Sequence, residues 1–204
     1  MTVSTEDRQQ IDRWLAGLFL GEVDREAIDL YRGADGAALL DQLAALPSLA
    51  PLVAALRETV CTDQDPDSLR LDLAAAYGKL FLTGGPRAVP LFASAYLSER
   101  GLLMQEPARQ SAVVLSQLDM SPPPGFREPL DHIGIELNIL AELAGGRGDA
   151  GLTEASYLRD HLLTWVPTLA ALCARLAPIP LYRELGPATL AWLRAVETQL
   201  AVAA

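Results

Sequence analysis

The chain has 204 residues, half of them hydrophobic and only 6% aromatic, which is enough apolar material for a substantial core and excludes disorder as the dominant state. Its 38 leucines and 32 alanines stand against 10 valines and 6 isoleucines, so residues that favour pleated sheet are scarce and an all-α fold is predicted. Asp and Glu outnumber Lys and Arg by 26 to 16, a net charge of −10 that disfavours nucleic acid and anionic lipid and favours a cationic partner.

Thr5, followed by Glu6, Asp7 and the stripe Ile11, Trp14, Leu15, Leu18 and Phe19, predicts a capped amphipathic helix that Gly21 ends. Asp24 caps a short helix through Tyr31, Gly36 begins another that Pro47 stops after Leu46, and Ser48 restarts the chain into a helix over Leu49–Cys61. Beyond the acidic loop Thr62–Pro66, Asp67 or Ser68 opens a helix with Leu69, Leu73, Ala76, Tyr77, Leu80 and Phe81 three and four residues apart, ended by Gly84-Gly85-Pro86. Val89–Leu97 carries too much proline for a simple helix and too many aromatics for an exposed linker, and is expected to lie across the core. Gln105–Leu118 reads as helix, and Ser121-Pro122-Pro123-Pro124-Gly125 as a stiff connector and candidate hinge. Pro129 suits the first turn of a helix running to Leu143, and two more follow at about 153–176 and 181–201, parted by Pro178 and Pro180. The sum is about 9–11 helices, with an N-terminal lobe at about 1–120 and C-terminal helices at about 128–204.

The opening residues Met1–Asp7 are polar and acidic where an export signal is basic and then apolar, so the chain is expected to stay in the cytoplasm. Its longest apolar run, Leu162 to Ala174, spans 13 residues and contains Pro167, too short for a membrane span of roughly 20. Cys61 and Cys173 have no second Cys or His at ligand spacing and are read as small buried hydrophobes in a reducing compartment. There are two histidines, His132 and His161, and no Gly-x-Ser-x-Gly, phosphate-loop or Cys-x-x-Cys motif, so neither catalysis nor a cofactor is expected.

The dense polar cluster is Glu128, Asp131, His132 and Glu136, in which Glu128, His132 and Glu136 recur every four residues and would stack along one helix face. Three readings of it stand open. A divalent metal would need further ligands, with His161 the only other imidazole. A structural device would use the acids to start a helix and bury His132 with a hydrogen bond. An acidic stripe beside an apolar groove would capture an arginine-containing peptide through charge-assisted bonds.

Glu128-Pro129-Leu130-Asp131-His132-Ile133-Gly134-Ile135-Glu136-Leu137 resembles the E-x-x-D-H-I-G-x-E-L signature of the TorD/DmsD/NarJ chaperones. Tyr77-Gly78-Lys79-Leu80-Phe81 is similar to that family's Y-x-x-L-F helix, Val89-Pro90 through Tyr96 to its proline and aromatic segment, and His161-Leu162 with Trp165 and Tyr182 to its C-terminal H-L-x-x-W stretch. These blocks occur in family order over about residues 70–190. The resemblance implies a single TorD-like helical bundle and a cytoplasmic chaperone rather than an enzyme. Its partner would be the catalytic subunit of a molybdopterin-containing oxidoreductase, held by an N-terminal peptide, often twin-arginine, until the cofactor is inserted and the subunit is fit for export or assembly. Neither nucleic acid nor stable membrane insertion is implied; a monomer is expected, with a domain-swapped dimer through the proline hinge physically open. The implied peptide groove is bordered by Glu128, Asp131, His132, Gly134 and Glu136 and lined or supported by Tyr77, Phe81, Pro90, Phe92, Tyr96, His161 and Trp165. Two departures bear on groove shape: Asn138-Ile139-Leu140 stands where the family commonly places Phe-Met, and Leu91-Phe92-Ala93-Ser94 where a second proline and an acid are common. The alternative from another class is a metal-dependent all-helical hydrolase using His132, Glu136 and His161.

Overall fold

Ser4, Asp24, Asp65, His132 and Thr153 each accept a hydrogen bond from an otherwise unpaired backbone N–H at the head of a helix in the computed structural model, which describes residues 2–149 and 151–203. The helices are α1 (Thr5–Leu20), α2 (Arg25–Arg32), α3 (Ala34–Ala44), α4 (Ala50–Val60), α5 (Pro66–Tyr77), α6 (Ala93–Leu97), α7 (Glu106–Gln117), α8 (Ile133–Ala144), α9 (Glu154–Tyr157), α10 (Leu163–Leu176) and α11 (Pro180–Ala203). A single π turn over Gly78–Leu82 continues α5, and a second over Leu158–Leu162 joins α9 to α10. Extended pairing among the described residues is confined to one isolated antiparallel bridge, Phe92 with His132. The fold is therefore all-α, as composition predicted. No described helix is long and apolar enough to cross a membrane.

Four local expectations need correction. The first helix is capped by Ser4, not Thr5, through Asp7 N at 3.1 Å. Helix α5 opens at Asp65, whose carboxylate accepts from Ser68 N at 3.0 Å, because Pro66 fits the first helical position and has no N–H to satisfy. Helix α8 starts at Ile133, four residues after Pro129, because Asp131 O and Ile133 N are given to Ala93 and Leu91 instead of to a helix. Cys61 is exposed, at the C-terminal cap of α4, whereas Cys173 is buried and its thiol is pushed up to about 12 by burial.

The chain forms two compact units whose boundaries fall at Leu20/Gly21, Pro90/Leu91, Trp165/Val166 and Val196/Glu197. The proline connector at 121–125 thus runs within the first unit, which holds residues up to Leu20, Leu91–Trp165 and those from Glu197 onward. There α1 packs along α8, with Leu15, Phe19, Leu137 and Leu140 fully buried. The approach is so close that a Cβ on Gly134 would lie 2.5 Å from Leu20 Cγ and 3.0 Å from the Ala16 carbonyl. Arg13 of α1 ties the pair by reaching Glu142 of α8 at 2.7 Å, where Arg147 from the following loop also bonds at 2.7 Å, and Arg8 joins α1 to α9 in a buried bidentate bridge to Glu154 with both contacts at 2.9 Å.

The second unit, Gly21–Pro90 with Val166–Val196, buries Leu40, Leu52, Leu56, Leu169 and Leu185. Helices α10 and α11 touch there through Gly186, where a Cβ would stand 2.9 Å from Ala170 Cα and 2.9 Å from Cys173 Cβ.

Candidate functional site

The polar signature of residues 128–136 lies in the first unit and is built on an extended segment facing a helix start. Ile133 N donates to Leu91 O at 2.8 Å and Ala93 N to Asp131 O at 3.0 Å. That pairing sets Asp131 at the head of α6, where its Oδ2 accepts from Ser94 N at 2.7 Å and from the Ser94 hydroxyl. Ser94 Oγ accepts in turn from Gln105 N at 3.2 Å, so one buried carboxylate fixes both the start of α6 and the entry to α7. Asp131 is fully buried, and its Oδ1 accepts no hydrogen bond from the described residues.

His132 is also buried and occupies the cap of α8. Its Nδ1 accepts from Gly134 N at 3.1 Å, which puts the ring proton on Nε2. That nitrogen lies 3.7 Å from the Glu128 carboxylate, beyond direct hydrogen-bond range. Phe92 and Phe126 meet the imidazole edge-on, at 5.3 and 5.7 Å between ring centres. Burial pulls the imidazole down to about 4, so His132 is neutral near pH 7.

Glu136, one turn further into α8, accepts from Ser111 of α7 at 3.3 Å and from Trp165 Nε1 of α10 at 3.1 Å. Burial pushes this carboxyl up to about 8, with Asp131 adding to the rise and the two donors opposing it. Glu136 is therefore mostly protonated at neutral pH. Trp165 stacks on Tyr96 at 5.3 Å, and the buried Tyr157 hydroxyl lies beside Ser111 and Glu136, its phenol pushed well above the ordinary value by burial. His161, on the π turn, stacks on Tyr157 at 4.5 Å and faces an open cleft of about 480 Å³ with Glu106, Arg109, Val113 and Asp160.

The expected acidic stripe is thus not a solvent-facing one. Glu128 and His132 precede α8, and of Glu128, Asp131 and Glu136 only Glu128 offers its carboxylate to solvent, with its side chain 44% exposed. It borders a second cleft of about 410 Å³, together with Leu20, Pro123, Pro124, Gly125, Phe126 and Arg127. Gly134 serves the approach of α8 to α1.

The candidate residues fall in both units. Phe92, Tyr96, His161 and Trp165 share the first unit with the 128–136 cluster, whereas Tyr77, Phe81 and Pro90 belong to the second. There Tyr77, Phe81 and Tyr182 form an edge-to-face trio at 5.0, 5.8 and 5.6 Å, with the Tyr182 hydroxyl donating to Leu73 O at 3.4 Å. Tyr77 and Phe81 are buried, and Pro90 half-buried. His132, Glu136 and His161 do not converge: among the described residues no group of three or more His, Cys, Asp or Glu is arranged to hold a metal. Ser94, Gln105, Ser111, Phe126 and Tyr157 escaped the sequence reading. Their only advance signal is that Ser94 and Ser111 interrupt otherwise apolar helical faces.

Known proteins similar to this chain are chaperones and a nitrate reductase subunit family. The nitrate reductase delta subunit family matches residues 41–171. Chaperone protein TorD of Vibrio cholerae is 30% identical over 95% of this chain and 92% of its own length. The TorD chaperone of Photobacterium profundum is 30% identical over 82% of each chain, and that of Shewanella loihica 29% identical over 94% of this chain and 92% of its own.

Proposed function

The chain belongs to the nitrate reductase delta subunit family, that of the TorD and NarJ chaperones, and on that footing we propose that it is a cytoplasmic maturation chaperone for a molybdoenzyme catalytic subunit. It binds the N-terminal peptide of that subunit, twin-arginine or a relic of one, and keeps the subunit from export or assembly until its cofactor is in place. The observation that carries this reading is likeness to proteins named as TorD chaperones along 95% of the chain. The hydrolase alternative has no such support. No covalent step is needed: the work is differential binding of an immature client.

The contact we assign to the peptide's arginine is Glu128, in the 410 Å³ cleft it shares with Phe126 and the prolines 123 and 124. A guanidinium fits a carboxylate bidentately, and the aromatic and proline faces take the aliphatic part of the side chain. Arg127 lines the same cleft and opposes a cation, so it sets which end of the cleft the arginine enters. Asp131, His132 and Glu136 act beneath this surface as its frame, supported by Phe92, Tyr96, His161 and Trp165; Tyr77, Phe81 and Pro90 frame the second unit.

Calorimetric titration with the client's N-terminal peptide tests the assignment. Glu128→Gln is expected to weaken binding about fivefold to tenfold and Arg127→Gln to strengthen it, with melting temperature unchanged in both. Equal affinity in all three proteins removes Glu128 from the peptide site, and a wild-type protein that binds neither the peptide nor the client subunit overturns the chaperone reading.

A further inference from the structure

Exposure of large apolar side chains is concentrated in one stretch of the first unit. Of the nine that are exposed among the described residues, four lie within eight residues from the end of α6 to the approach of α7: Leu97 (49%), Leu102 (52%), Leu103 (43%) and Met104 (68%). The backbone beneath them is closed on itself. Ser98 Oγ accepts from Leu102 N at 2.8 Å and donates to Leu102 O at 3.2 Å, Gly101 N donates to Ser98 O at 3.2 Å, and Gln105 Nε2 donates to Leu103 O at 2.8 Å. The foot of the loop is fixed to the buried cluster through Gln105 N, Ser94 Oγ and Asp131. Met104 sits at φ 57°, in the left-handed region, where a residue with a Cβ is strained. The fold therefore holds apolar side chains in water on a bonded, locally strained frame, as a contact surface would.

Area and charge narrow the occupant. The four side chains present roughly 400 Å² of exposed surface, about half of the ~800 Å² per partner in a stable protein–protein interface. A second copy is disfavoured on that count and by the like charge of two chains at −10. The charges flanking the loop cancel: Glu99 is followed by Arg100, and Glu106 bridges Arg109 at 3.0 Å, so nothing there recruits an ion. We propose that the Leu97–Met104 loop is a docking surface for a short, uncharged, apolar segment of the client polypeptide, distinct from the cleft at Glu128. The source of that segment rests on the chaperone reading; the surface itself rests on exposure, area and charge.

Fluorescence polarisation of the intact protein with a labelled leucine–alanine peptide flanked by glycine and serine tests it. Saturable binding is expected, about tenfold weaker when alternate leucines of the peptide are replaced by aspartate and about tenfold weaker for the double variant Leu103→Gln, Met104→Gln. Both side chains are exposed, so the variant is expected to melt with the wild type; Leu71→Gln, at an exposed leucine of the second unit, is expected to leave binding unchanged. Equal affinity of wild type and double variant overturns the proposal, as does a dimer in sedimentation that the double variant dissolves. Capture of the purified client subunit separates the two readings. Equal capture by wild type and double variant sinks the docking surface alone, and no capture by either protein sinks the chaperone reading as well.

Discussion

Asp131 and Glu136 share the interior of the first unit but answer to different physics. Asp131 accepts two bonds from Ser94, so Asp131→Ala leaves the head of α6 unpaired and is expected to lower stability by about 2–4 kcal/mol, read from urea unfolding. Glu136 is raised by burial to about 8 from an ordinary 4.5. The folded state keeps that proton over a range in which the unfolded state has lost it, so the stability it gives is full below about 4.5 and is lost as pH rises through 8. His132 runs the other way: lowered to about 4 from 6.5, it contributes stability above 6.5 that is lost as pH falls through 4. The two slopes largely cancel between about 4.5 and 6.5, which leaves a net loss of roughly 1–2 kcal/mol from pH 6.5 to 8. Glu136→Gln is expected to remove that loss; a urea midpoint that still falls over the same interval would place its origin elsewhere. The motif itself was legible in the sequence, and a buried, hydrogen-bonded His132 was one of its open readings, but the burial of Asp131 and Glu136 was not. Charged residue types read as surface until their partners Ser94, Ser111 and Trp165 are known, and those lie 25 to 37 positions away.

At the scale of elements, two close helix contacts are made by glycines. Gly134→Ala drives a methyl group into Leu20 and the Ala16 carbonyl, and Gly186→Ala drives one into Ala170 and Cys173. Each is expected to cost about 1–3 kcal/mol, with hydrogen exchange accelerating in α1 and α8 for the first and in α10 and α11 for the second. Exchange that speeds up everywhere alike would mean that the two units unfold as one. Helices whose signals are local were readable in advance: Asp24 accepts from Ala27 N at 2.8 Å and opens α2 as its position suggested. The start of helix α8 was misplaced because Pro129 is a sound local start signal that a distant segment overrides, Asp131 and Ile133 bonding to Ala93 and Leu91. The π turns were invisible because apolar residues three and four apart fit an α-helix and a helix with one wide turn equally well.

For the whole molecule, composition announced an all-α chain of net charge −10, and the charge predicts kinetics. Association with an arginine-bearing peptide is expected to slow about tenfold between low and physiological ionic strength while dissociation changes little, measurable by stopped flow. What the order of residues could not announce is a unit assembled from both ends and the middle of the chain. Val3 N donates to Gln199 Oε1 at 2.8 Å and Gln199 Nε2 donates back to Val3 O at 2.8 Å, across 196 positions. During synthesis α1 leaves the ribosome before its partner α8, which follows more than a hundred residues later, and Gln199 comes later still. The apolar stripe of α1 therefore waits uncovered while those residues are made. A protein proposed to guard an unfinished client has, while it is being made, an unfinished unit of its own to protect.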